Sequence, residues 1–194
     1  MKLKKLRTNF LGRNIFYFKS IDSTQKEVWR RVYSNDIKNG TLVFSDIQTS
    51  AIGTHGRKWY TDEENNISFS FYIRINCNVE KLKGITIEIA EVIKQILKEK
   101  YDVDVQIKEP NDIYYNGKKL GGILTETKII SEKAKCLVIG IGINTNKKCF
   151  EEDIKNIATS IKNEFGIVIK TTDFIVYFCN EFEKKVIEKG LIKI

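Results

Sequence analysis

A lysine placed just before two glycines, in Lys119-Leu-Gly-Gly122, follows closely on Lys108-Glu-Pro-Asn-Asp112, and together these residues could handle oxyanions. The ammonium on its flexible stem can meet a negative oxygen, while bare glycine backbone lets a ligand come close. In outline, that is what joining a carboxylate to a nucleotide phosphate requires. The segment between the two motifs carries Asn116-Gly117. This pair suits a type I′ hairpin, whose two central residues both need positive φ. Asn111, Asp112 and Lys119 are therefore expected on two neighbouring strands.

The elements that must position these residues can be read from periodicity. Thr24-Gln-Lys-Glu27 has the form of a capping box, with Val28, Trp29, Val32 and Tyr33 at helical spacing behind it, so a helix is expected to about Ser34. Thr41 to Asp46 reads as a strand leading into a loop from Gln48 to Trp59. Residues 67–75 alternate, with Ile67, Phe69, Phe71, Ile73 and Ile75 on one face and Ser68, Ser70, Tyr72 and Arg74 on the other, as in a half-buried strand. Ile85, Ile89, Val92, Ile93, Ile96 and Leu97 share one face of a helix ending near Tyr101. Val103, Val105 and Ile107 then alternate as a strand that delivers Lys108 to Asp112. Leu120 to Lys128 and Lys135 to Ile143 read as paired strands around a turn near Ser131 to Lys133. Helices are expected from Asp153 to Phe165, closed by Gly166, and from Asp173 to Glu188, closed by Gly190. The fold class is α/β (α+β), with a mixed, largely antiparallel sheet covered by helices.

With 194 residues and 42% hydrophobic content, the chain can bury one good core, and a single domain over 1–194 is expected. No uncharged apolar run is long enough for a membrane span, and the first residues lack the apolar stretch of a secretory signal, so the expected location is cytoplasmic. Cys77, Cys136, Cys149 and Cys179 show no Cys-x-x-Cys spacing, which favours reduced thiols over zinc or disulfides. With His55 as the sole histidine, no protein-held metal site is expected. The formal charge of +8 draws anionic partners, but lysines interleaved with glutamates on helices read as solvated surface rather than a nucleic-acid stripe.

Several motifs together resemble the catalytic domain of biotin protein ligase. Lys108-Glu-Pro-Asn-Asp112 is similar to the family's Lys-Trp-Pro-Asn-Asp, and Lys119-Leu-Gly-Gly-Ile-Leu124 to its Lys-Leu-x-Gly-Ile-Leu. Gly140-Ile-Gly-Ile-Asn144 is similar to its Gly-Ile-Asn run, Ser23-Thr24-Gln25 to its Ser-Thr-Asn, and Gln48 to Trp59 to its arginine-rich glycine loop. All occur in the family's order, over nearly the whole chain from about Phe16. The resemblance implies the fold shared by biotin ligases, lipoate ligases and class II aminoacyl-tRNA synthetases. It implies an ATP-dependent ligase that makes biotinyl-5′-AMP and passes biotin to a lysine of a biotin carboxyl carrier domain, with Mg²⁺ accompanying ATP.

Roles carry over residue by residue. Lys119 would bridge the two anions; Asn111 would bind an anhydride or phosphate oxygen; Asp112 would orient the lysine, help hold Mg²⁺ or accept the amine's proton. Ser23, Thr24 and Gln48 would meet the ureido ring, with Gly122, Gly140 and Gly142 leaving room for it. Gly53, Arg57, Trp59 and Asn144 would lie on the ATP side, with Trp59 as part of the adenine wall. His55 reads as a loop surface residue.

The chain also departs from the family pattern. Ile52 and Thr54 stand where the family loop has arginines, and Ala51 replaces a glycine, so Arg57, with Lys58, is expected to take up part of the phosphate charge. Glu109 and Gln25 replace a tryptophan and an asparagine. About 20 residues precede Ser23, too few for the family's DNA-binding winged helix, and residues 1–194 hold no SH3-like C-terminal domain, so specific DNA binding is not expected. Homodimerisation is left open. Rival readings are a lipoate or octanoate ligase, a non-catalytic biotin or nucleotide binder, and an RNA-binding relative of synthetases.

Overall fold

The computed structural model describes residues 3–61 and 66–191. In chain order the elements are β1 (Ile15–Ile21), α1 (Thr24–Tyr33), β2 (Leu42–Gln48), β3 (Asn66–Asn78), α2 (Ile85–Tyr101), β4 (Gln106–Lys108), β5 (Asp112–Tyr115), β6 (Lys118–Ile130), β7 (Lys133–Asn144), α3 (Ile161–Phe165) and α4 (Thr171–Glu188). The strands form one sheet in the order β1-β2-β3-β7-β6-β5-β4. Only β1 and β2 run parallel, so the sheet is mixed and largely antiparallel, as expected.

Each face of the sheet has its own core. Ile67, Phe69, Phe71 and Ile73 of β3 and Leu137, Ile139, Ile141 and Ile143 of β7 pack under α2 and α4. Phe178 and Phe182 of α4 meet Phe69 and Phe71 at centroid distances of 5.4 and 5.5 Å. Each such ring removes enough apolar surface from water to contribute about 2–3 kcal/mol. On the opposite face Val28 of α1 packs with Val43, Tyr72, Cys136 and Val138.

That second face corrects the half-buried reading of residues 67–75. Ser68 and Ser70 are 1% exposed and Tyr72 6%, because α1 lies across this face of the sheet. Small polar side chains are what the site needs there. Ser68 of β3 stands opposite Gly142 of β7, which stands opposite Gly122 of β6; in the next row Ser70, Gly140 and Leu124 line up in the same way. These rows carry only small groups, so Trp59 can lie directly over Gly142 and the Gln25 side chain over Gly140.

Other expectations need correction. Ser23, with extended φ of −161°, caps α1 by accepting from Lys26 N at 3.4 Å, and Thr24 is the first helical residue. The hydroxyl of Thr24 is drawn to Gln48 instead, and Glu27 pairs with Arg30 and Arg31 rather than reaching back to the cap. Strand β1 carries no clear alternation and was not anticipated. Strand β2 runs on to Gln48, past the expected end at Asp46, and β4 is shorter than the alternation of Val103, Val105 and Ile107 suggests. The helix expected from Asp153 to Phe165 exists only as α3, capped by Ser160. Residues 157–159 are claimed by the end of β6: Lys119 N donates to Ile157 O at 2.8 Å and Thr159 N to Lys119 O at 3.0 Å. An extended segment cannot also be helix. The hairpin between β5 and β6 does turn at Asn116 (φ 46°) and Gly117 (φ 76°), and Gly166 closes α3 with φ of 70°.

Candidate active site

Two cavities open on the α1 face, and they meet at Lys119. The inner one is narrow, about 60 Å³, and is lined by Ser23, Thr24, Gln25, Gln48, Ser70, Asn111, Gly122, Gly140 and Gly142 among others. The outer one, about 200 Å³, is lined by Arg57, Lys58, Tyr60, Tyr114, Asn144, Lys147, Phe150 and Ile157 among others. Gly53, Thr54, Trp59 and Lys119 line both. A ligand filling one cavity therefore reaches a ligand in the other at the lysine.

Lys119 is held by both its backbone and its side chain. The strand end pairs with residues 157–159, and Nζ lies 2.6 Å from Asp112 Oδ1, across the β5–β6 hairpin. Both side chains keep partial access to solvent, 29% and 21%. The carboxylate thus aims an ammonium that remains reachable by an anion. A Cβ on Gly122 would sit 3.4 Å from Lys119 Cε and 3.5 Å from Asp112 Oδ1, ordinary contact distances, so Gly122 lies directly against the pair. Asn111, one residue before β5, donates Nδ2 to Ile123 O at 3.1 Å and reaches Thr54 Oγ1 at 3.5 Å.

The polar end of the inner cavity is prearranged. Gln48 Oε1 accepts from Thr24 N at 2.7 Å and Thr24 Oγ1 at 3.1 Å, while Thr24 Oγ1 also lies 2.9 Å from Ser70 Oγ. Fixing the amide oxygen in this way points Gln48 Nε2 elsewhere, and no group among the described residues takes it up. An amide nitrogen can only donate, so a group reaching it would have to accept. Trp59 lies flat against the sheet: a Cβ on Gly142 would be 2.7 Å from its Cε2, and the centroid of its ring is 5.9 Å from Lys119 Nζ. The indole thus forms a wall shared by the two cavities.

The outer cavity gathers cations and aromatic surface. Arg57 and Lys58 come from the loop, which closes on itself through Gly53 N to Arg57 O at 2.7 Å and Trp59 N to Ala51 O at 3.0 Å. Lys58 Nζ sits 4.4 Å from the centroid of the Tyr60 ring. Tyr60 donates its hydroxyl to Asp153 Oδ2 at 2.6 Å, and this bond to a carboxylate raises its pKa. Ile52 lines the inner cavity and Thr54 both, so the positions that lack the family's arginines do face the cleft. His55 has φ of 58°, is exposed, and lines neither cavity, in keeping with a surface role.

Twelve of the thirteen expected site residues line one or both cavities, and Asp112 joins them through Lys119. Three contributors were missed. Gln25, which departs from the family's asparagine, lines the inner cavity, and so does Ser70, on the face of β3 that alternation alone reads as solvent-facing. Lys147 is 2% exposed, holds Glu151 at 3.0 Å and lines the outer cavity, and no spacing signal marks it.

Among known proteins, the model of the Biotin/lipoate A/B protein ligase family matches residues 17–144. The chain belongs to this family. It is 34% identical over 182 residues to the "Bifunctional ligase/repressor BirA" of Bacillus subtilis, an alignment covering 93% of this chain and 56% of that protein. The chain spans about half the length of the curated relatives it matches. Among solved structures, the biotin protein ligase of Aquifex aeolicus in complex with biotin and ATP superposes with a TM-score of 0.72. Its identity is 30%, covering 91% of this chain and 73% of that one. A lipoate-bound protein of P. falciparum, LipL1, shares the fold alone, at 14% identity and a TM-score of 0.54 over 93% of this chain and 64% of that one. These likenesses bear out the expected biotin ligase-like architecture.

Proposed function

We propose that the chain is an ATP-dependent biotin ligase, activating biotin as biotinyl-5′-AMP and passing it to a carrier lysine. The observation that carries this reading is the meeting of two cavities at Lys119, one lined by neutral polar groups and glycines, the other by cations and aromatic rings. A biotin molecule would place its ureido ring among Ser23, Thr24 and Gln48, and its carboxylate toward Lys119. ATP would occupy the outer cavity, with its base against Trp59 and its phosphates near Arg57 and Lys119. Sequence likeness to ligases, one of them crystallised with both biotin and ATP, supports the pairing of substrates.

In the first step a carboxylate oxygen forms a bond to the α-phosphorus, and the bond from that phosphorus to the β-phosphate oxygen breaks, releasing pyrophosphate. Two anions must approach each other, a repulsion that the ammonium of Lys119 offsets and whose shifting charge it can follow. Asn111 adds a polar contact at the same junction. In the second step a lysine amine of a biotin carboxyl carrier domain bonds to the acyl carbon and AMP departs with the bonding electrons. Asp112 is the carboxylate at that junction, able to keep Lys119 aimed and to accept the amine's proton. Mg²⁺ supplies further charge neutralisation when it arrives with ATP. Asp112, beside Lys119 at the junction, is a carboxylate that would help hold it together with the phosphates.

Incubating the purified chain with ATP, Mg²⁺ and either biotin or lipoate, and then weighing the products, tests this reading. A mass for biotinyl-AMP with pyrophosphate release supports it. Lipoyl-AMP alone, or neither adenylate, overturns it.

A further inference from the structure

Gln25 lies at the start of α1, 4% exposed, on the wall of the inner cavity. Its amide orientation is forced. Nε2 donates to Glu126 Oε2 at 2.8 Å and faces Val138 O at 3.3 Å. A backbone carbonyl can only accept, and Glu126 Oε2 is further committed as an acceptor by Trp29 Nε1, which can only donate, at 2.6 Å. The nitrogen must therefore face this pair and the oxygen must face away from them. Gln25 Oε1 is buried and has no partner among the described residues. It lies over Gly140, where an added Cβ would come within 2.7 Å of it and 3.2 Å of Ser70 Oγ. A buried carbonyl without a donor costs on the order of 1–3 kcal/mol.

Taking the proposed function as its basis, we infer that Gln25 is a specificity-determining residue whose Oε1 accepts a hydrogen bond from a ring N–H of the bound acid. A ureido ring carries two such donors. A dithiolane carries none, and binding it would leave the carbonyl stranded. Gln48 Nε2 and Gln25 Oε1 would then form a complementary pair, the first donating to the ring carbonyl and the second accepting from the ring nitrogen. Gly140 keeps the path between the Gln25 carbonyl and the ring open.

The test measures equilibrium binding of biotin and of its two N-methylated ureido derivatives, to the wild-type chain and to Gln25→Ala, which leaves space for the added methyl group. On the wild type, at least one N-methyl derivative should bind roughly ten- to a hundredfold more weakly than biotin. In Gln25→Ala, biotin should weaken by a similar factor and the N-methyl penalty should fall to about threefold or less. A merely structural role for Gln25 would weaken all the ligands alike and leave the penalty unchanged, and that result overturns the inference. Should Gln25→Ala lose its cooperative melting transition, Gln25→Ser is used. This variant removes the carbonyl and leaves similar space for the methyl group, and it should show the same fall in the N-methyl penalty; an unchanged penalty there is equally fatal. If the wild type makes biotinyl-AMP but shows no N-methyl penalty, only the inference fails. If it binds no biotin at all, the functional reading fails with it.

Discussion

Lys119 Nζ lies 2.6 Å from Asp112 Oδ1, and the two residues belong to adjacent strands joined by the tight turn at Asn116 and Gly117. The hairpin thereby sets the aim of the ammonium as well as the register of the strands. Replacing Asp112 with Asn keeps the shape but removes the charge that holds the lysine. Adenylate formation is expected to slow by about ten- to a hundredfold, since misplacing a reacting group by about an ångström is costly. Biotin affinity should stay within about threefold. Pyrophosphate release alongside a biotin titration checks both.

Three glycines, two lining the inner cavity and Gly121 beside them outside it, should respond differently to alanine. In Gly142→Ala the new methyl would meet the Trp59 ring at 2.7 Å, pushing the shared wall aside, so KM should rise for both substrates. In Gly121→Ala it would meet backbone, Gly142 O at 2.9 Å, which cannot yield, so stability should fall by about 1–3 kcal/mol. In Gly122→Ala the methyl would sit in ordinary contact with Lys119 at 3.4 Å and the Asp112 carboxylate at 3.5 Å but would take space from the inner cavity, so the variant should melt near the wild-type temperature while binding biotin more weakly. Melting curves and steady-state kinetics on the three variants separate the outcomes.

Glu183 of α4 is 4% exposed and accepts from the backbone N–H groups of Asn9, Phe10 and Leu11, tying the N-terminal segment to the helix layer. Glu183→Gln should cost about 2 kcal/mol, since hydrogen bonds to a charged acceptor are the stronger kind. For a chain of this size that lowers Tm by roughly 4–8 °C. Because the site lies on the other face of the sheet, KM for ATP and biotin should be unchanged below the transition.

Thiol reactivity should divide by burial. Burial pushes the pKa of Cys136 up, partly offset by Lys128, and it pushes Cys179 up further, with the nearby Glu183 adding to the shift. A raised pKa leaves less thiolate at a given pH, so at pH 8 the exposed Cys149 should react first with a thiol reagent and the partly buried Cys77 more slowly. Cys136 and Cys179 should react only once denaturant is added. A time course with mass mapping of the labelled cysteines reports the order.

Arg57 and Lys58 are exposed loop cations that line the outer cavity, in a loop with Ile52 and Thr54 at the family's arginine positions. Arg57→Ala should raise KM for ATP about tenfold and leave biotin binding within about twofold. Equal ATP kinetics in wild type and variant would remove Arg57 from the nucleotide side.

The parts of the fold legible in the sequence are those governed by local rules. Alternation in β3, the apolar stripe of α2 and the Asn116-Gly117 turn each follow from a period or a φ requirement, and the structure keeps them. What escaped was decided by distant partners. Residues 157–159 leave their helical pattern because the backbone of Lys119 pairs with them, and the cap of α1 passes to Ser23 because Gln48 takes the hydroxyl of Thr24. Within the site, the residues carrying motifs converge as expected. Gln25, Ser70 and Lys147 needed the folded chain, since nothing local to them says which face of a helix, strand or loop meets the cleft.

The most direct measurement concerns Lys119 itself. Lys119→Met keeps the length and apolar bulk of the side chain but removes the ammonium, and biotinyl-AMP formation from ATP and biotin can be followed by mass alongside biotin binding by calorimetry. The account predicts a loss of adenylate formation of at least about a hundredfold, as expected when one preorganised charge at a transition state is removed, with biotin affinity within about fivefold. Adenylate formation at the wild-type rate would contradict it.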